Sequence, residues 1–196
     1  QNSRYVASAP ATVSELAHSP AVPKEGDLVT VTARVTSSSA LQSIDVVYRE
    51  DSRDNSNPWQ TVAMNDAGTA GDAVPGDGIY SGRITNQSVG GRIVQFFVRA
   101  IATGGVENRA PVREAWPAMF VVDNQEIDPE GLTTYRWVVS EYDERAWSTG
   151  SGRGGADYNY KFPFLSNSYK NMTMIVDESE IFYGAEIRPS GSPWHT

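Results

Sequence analysis

Three aspartates, Asp66, Asp72 and Asp77, fall within the Gly-rich run from Asn65 to Gly78. Carboxylate oxygens are the ligands calcium prefers, and calcium takes six to eight of them. The run lacks both the D-x-D-x-D spacing and the closing bidentate Glu of a calcium loop. Asp or Asn ahead of Gly also closes Asx turns that support positive φ. The spacing therefore leaves a structural turn and a calcium loop both open, and no metal is assigned. Gly150-Ser151-Gly152-Arg153-Gly154-Gly155 spells G-x-G-x-x-G. A phosphate cradle needs a strand before it and a helix or strand after it. Here a helix-like segment precedes the glycines and a Tyr/Asn stretch follows, so the run reads as a loop.

Glu141, Asp143 and Glu144 are carboxylates of the type glycosidases pair, but beside Arg145 on a short helix they read as a solvated face. His18 and His195 are the two histidines, too few and too far apart for a zinc site or a Ser-His-Asp triad, and both read as surface residues. No catalytic residue is assigned. Trp147, Tyr158 and Tyr160 belong to an aromatic-rich segment that continues through Phe162, Phe164 and Tyr169. Such rings stack on sugar faces, anchor protein partners, or cover an apolar core. Asn86-Gln-Ser88 and Asn171-Met-Thr173 spell glycosylation acceptors and are read as chance matches.

The elements that must position these residues are mostly strands. Of the 196 residues, 39% are hydrophobic and 20% charged, a globular balance. A net charge of −8 argues against a nucleic-acid backbone as partner. No apolar run is long enough to span a bilayer. Without a single cysteine, disulfides, thiol catalysis and thiolate metal sites are excluded. Seven segments carry strand patterns: 13–17, 28–35, 44–49, 59–64, 78–84, 92–100 and 118–122. Val29, Val31, Ala33 and Val35 alternate strictly with polar residues. Seven short strands separated by turns predict an immunoglobulin-like sandwich over residues 1–122 that folds on its own.

Residues 123–131, polar with Pro129 and Gly131, read as a linker. Residues 132–196 then carry a strand at 133–139, a helix start at Ser140 with Asp143 three residues on, and a hairpin closed around Glu178-Ser179. The expected class is mainly β: a seven-stranded sandwich followed by a partial α+β region with a β-hairpin. Glu180 to Thr196 ends in a Gly/Ser/Pro corner, and the chain is expected to be a segment of a longer protein.

Two resemblances follow. Asn65 to Tyr80, with its loop closing on Asp77-Gly78-Ile79-Tyr80 and followed by Val94 to Ala100, resembles a bacterial Ig-like module. Thr134-Tyr135-Arg136-Trp137, the Met174 to Asp177 strand, and Tyr183-Gly184 through Arg188, Gly191 and Ser192 to Pro193 resemble the start of a spore-coat-protein-H-type (CotH) kinase domain. That resemblance implies a protein kinase using ATP and a divalent metal in the parent. Its Lys-bearing strand and acidic metal ligands would lie downstream, with no cofactor held by this chain. It places Arg188, Gly191 and Ser192 nearest the nucleotide edge. Together the two imply a secreted or cell-surface bacterial protein. The alternative from another class is an adhesion or matrix module that binds polysaccharide or a neighbouring subunit, with self-association through strand edges.

Overall fold

Alternation of apolar and polar side chains sets two sheets face to face. The computed structural model describes residues 9–85, 88–113, 115–125, 127, 131–148 and 169–188, without the side chains of 145–148. β1 (Thr12–Ser19) pairs antiparallel with β2 (Leu28–Thr36). The predicted face of β2 is the buried one: Val29, Val31, Ala33 and Val35 are at most 5% exposed. β1 carries a bulge between Ser14 and Ala17, where Glu15 adopts φ 51° and pairs with Arg34 at 2.9 Å. A bulge on an edge strand discourages pairing with another chain.

β3 (Leu41–Glu50) and β4 (Gln60–Ala63) form an antiparallel pair in the opposing sheet. β5 (Ile79–Thr85) crosses back to β2. Gly82 of β5 sits where a Cβ would lie 3.0 Å from Met64 Cγ and 3.2 Å from Val46 Cγ1, so the sheets close tightly there. β6 (Ile93–Ala102) is the central strand of the second sheet. It pairs with β3 on one side and, on the other, with β8 (Ala118–Val121) along its first half and β7 (Val106–Ala110) along its second. The sheet orders are β1-β2-β5 and β4-β3-β6-β7. Between them Val46, Phe96, Val98, Ala100 and Phe120 are fully buried against β2.

Among the described residues the sandwich thus has eight strands where the sequence pattern gives seven. β7 lacks a strand pattern because only its ends, Val106 and Ala110, are apolar. It is held by pairing with β6 across the turn at Gly104 and Gly105, both in the left-handed region. Asn108 Nδ2 also donates to Ala11 O at 2.7 Å, tying β7 to the chain entering β1.

A third antiparallel sheet follows, in the order β11-β10-β9, from β9 (Tyr135–Val139), β10 (Lys170–Val176) and β11 (Glu180–Ile187). Between β9 and β10 lies α1 (Glu141–Ser148). The hairpin turn falls at Asp177 and Glu178, with φ 48° and 55°, within a residue of the expected place. This sheet is laid on the sandwich. Val138 and Ile175 cover the outward face of β8 at Met119, which is 1% exposed. Thr173 Oγ1 accepts from Met119 N at 3.1 Å. Of the segment expected to be a linker, Asp123 N donates to Pro23 O and its carboxylate pairs with Arg136 at 2.5 Å. No helix among the described residues is long and apolar enough to cross a membrane.

Candidate functional site

The loop between β4 and β5 brings Asp66, Asp72 and Asp77 together, which their irregular spacing does not disclose. One carboxylate oxygen from each lies within 4.8 Å of the others. Ligands across a calcium ion, at about 2.3–2.6 Å each, stand about 5 Å apart, so this is the place among the described residues where a hard cation finds three carboxylates. The same three carboxylates also close the loop. Asp66 accepts from the backbone N–H groups of Gly76, Asp77 and Gly78 at 2.7, 3.2 and 3.0 Å. Asp72, 8% exposed, accepts from Gly68 N at 2.5 Å, and Asp77 from Ile79 N at 2.8 Å. The loop packs on the sandwich at Gly71, where φ is 103° and a Cβ would meet Thr30 Cγ2 at 2.7 Å. Asp66→Ala deletes the acceptor for three donors at once. We expect it to lower stability by about 2 kcal/mol, read as a shift of the urea midpoint at unchanged m-value.

The other sequence-predicted residues do not gather here. Arg188 follows β11, its Cζ 5.0 Å from the centroid of the Tyr169 ring, while Gly191 and Ser192 lie outside the described residues. So do Tyr158, Tyr160, His195, the glycine run 150–155 and the side chain of Trp147. Glu141 and Asp143 are not a free solvated face. Glu141 pairs with Arg92 at 3.3 Å and Arg53 at 3.6 Å, and Asp143 with Lys170 at 3.0 Å. Asn171 is 3% exposed within β10, which closes its sequon to glycosylation in the folded chain.

Two further residues take places that their local sequence does not indicate. His18 is not on the surface: it is 5% exposed, packed against Phe96 and Phe120 with centroids 5.7 and 5.2 Å away. Near the end of β1 its ring turns inward, and both nitrogens find partners. Nε2 lies 3.0 Å from Ala21 O, which only accepts, so Nε2 carries the proton and Nδ1 accepts from the Tyr183 hydroxyl at 2.5 Å. Burial pushes the His18 pKa down to about 4 and raises that of Tyr183. Asp51, 2% exposed just past β3, accepts from Glu141 N at 2.6 Å and Gln95 Nε2 at 2.8 Å. It therefore joins the expected cap Ser140, whose Oγ accepts from Asp143 N at 3.2 Å, and places a carboxyl at the helix N-terminus. Burial raises the Asp51 pKa. Nothing local marks Asp51 as a cap for a helix ninety residues away.

No protein-family model matches this chain, and no curated protein matches it. Among solved structures it is similar to Spo0M, the sporulation control protein from Bacillus subtilis. That likeness has a TM-score of 0.34 at 13% identity, covering 86% of this chain and 80% of the other.

Proposed function

We propose that this chain is a stretch of a secreted or cell-surface multidomain bacterial protein. In this reading an Ig-like sandwich acts as a spacer joined to the opening strands of a CotH-type protein kinase domain. The observation that carries the reading is the connection β9–α1–β10–β11 in one antiparallel sheet. Tyr183 and Gly184 lie on the outgoing strand of a hairpin, with Arg188 directly after it, and this order supports the reading. The acidic balance of the chain accords with an extracellular setting.

Phosphoryl transfer is mostly positioning and charge stabilisation by a Lys, metal-holding carboxylates and a base. In this proposal those groups belong to the parent protein, and none of them is assigned to a residue of this chain. The test compares this chain with its parent reading frame, using radiolabelled ATP, magnesium or manganese, and a protein acceptor. Incorporation by the parent alone is the expected outcome. A parent frame that lacks a Lys-bearing strand and acidic metal ligands, or that incorporates nothing, sinks the proposal.

A further inference from the structure

Where the third sheet meets the sandwich, a cleft of about 270 Å³ opens. Its rim holds Trp59, Tyr142 and Tyr169, 39%, 50% and 47% exposed. Trp116 also lines it. Three of these rings are braced by guanidinium groups: Arg49 over Trp59 and Arg113 over Trp116, each at 4.3 Å, and Arg188 over Tyr169. Bracing of this kind spends little ordering entropy when a ligand arrives.

The polar groups of the cleft are the second, independent sign. Asn171 is 3% exposed and its Nδ2 donates to Pro117 O at 2.7 Å. That carbonyl accepts only, so the amide orientation is settled and Oδ1 is the atom left over. Among the described residues Oδ1 has no hydrogen-bond partner. A buried acceptor without a donor is rare in native proteins, and Asn171 belongs to the lining of the cleft. Beside it the Asp143–Lys170 ion pair offers a further acceptor and donor.

We infer that this cleft binds one sugar unit of a neutral glycan. A pyranose combines an apolar C–H face, which stacks on Trp and Tyr, with hydroxyls that donate and accept at its edge. A purely aliphatic ligand would strip water from the Asp143–Lys170 pair without replacing its remaining hydrogen bonds, and polar groups desolvated in this way weaken binding strongly. A polyanion is disfavoured by the net charge of −8. The Arg49 guanidinium is also already committed to Gln95 Oε1 at 2.8 Å and Asn55 O at 2.6 Å. This inference is independent of the kinase reading.

The test is titration of the whole chain with cellohexaose, chitohexaose, xylohexaose and mannohexaose, followed by tryptophan fluorescence and calorimetry. Saturable binding to at least one is expected, weakened about tenfold by Tyr142→Ala and by Tyr169→Ala with an unchanged thermal midpoint. Both tyrosines are about half exposed, so the variants should fold. Absence of saturable binding to all four sugars overturns the inference. So does binding that survives both tyrosine changes and is lost instead in a Trp147→Ala, Tyr158→Ala, Tyr160→Ala variant. Uptake of a random heptapeptide mixture in place of every oligosaccharide also overturns it, by assigning the cleft to a protein partner.

Discussion

A chain cut after Val122 is expected to unfold at a markedly lower urea concentration than the chain of 196 residues. The reason is that β9–β11 complete surfaces the sandwich cannot complete alone. Removing them uncovers Met119, now 1% exposed, together with the partly buried Ile93 and Val121 beside it. It takes Tyr183 away from Phe96, 5.8 Å between centroids, and from His18. It also leaves Asp51, buried beneath the start of α1, without the Glu141 N–H it accepts. Losing cover over a few apolar side chains costs about 1.5–3 kcal/mol for each one fully exposed, and partial exposure of several gives a sum of about 3–5 kcal/mol. Against the usual 5–15 kcal/mol of a domain that is a large share. An equal midpoint for the two lengths would show that the sandwich is self-sufficient, as its strand pattern alone suggests.

That contrast marks what was legible. β2, β3 and β6 announce themselves because one face of each is apolar at every second residue, and a period of two matches the pleat of a strand buried on one side. The hairpin at 170–187 was legible for the same reason, and Ser140 as a cap because Ser before an acidic first turn is a local signal. β7 was hidden because its stability comes from backbone pairing with β6 and not from its own side chains. Its Gly104-Gly105 turn was the one local clue. Among the site residues, the convergence of Asp66, Asp72 and Asp77 depends on a loop path set by several left-handed residues, which spacing does not encode. The cleft is harder still to read. Trp59, Trp116, Tyr142 and Asn171 come from four separate stretches of chain, and each looks ordinary where it stands. His18 shows the limit of local reasoning. A histidine before Ser-Pro reads as loop surface until its partner, 165 positions on, is known.

His18 also leads to the second large effect, a loss of stability on mild acidification. In the folded chain its pKa is lowered to about 4, chiefly by burial, against 6.5 for an exposed histidine. Geometry explains the direction. A second ring proton would place a full charge among Phe96 and Phe120, away from water, and the Tyr183 hydroxyl would have to turn its own proton away from Nδ1 to accept it. The unfolded chain binds this proton near pH 6.5 and the folded chain only near 4, so the unfolded state holds more protons throughout that window and stability rises with pH across it. The contribution is complete above about pH 7, falls as pH drops from 6.5 to 4, and levels off below, with a total of about 3 kcal/mol. Three carboxyls act in the same region: Asp54, held below the usual carboxylate range by the Ser56 hydroxyl and N–H, disfavours folding as it takes up its proton, and the other two oppose each other. Asp51, raised by burial, favours folding as it takes up its proton, while Asp123, lowered first by the Gln125 N–H and then by Arg136, disfavours it. The histidine is isolated by His18→Gln, whose amide can donate toward Ala21 O and accept from Tyr183 but does not titrate. Urea midpoints measured from about pH 7.5 to about pH 4 should fall steeply in the native sequence and only gently in the variant. Parallel curves for the two would mean that His18 takes its proton in the folded chain as readily as in water, and that the buried Tyr183–His18 contact does not hold the ring neutral.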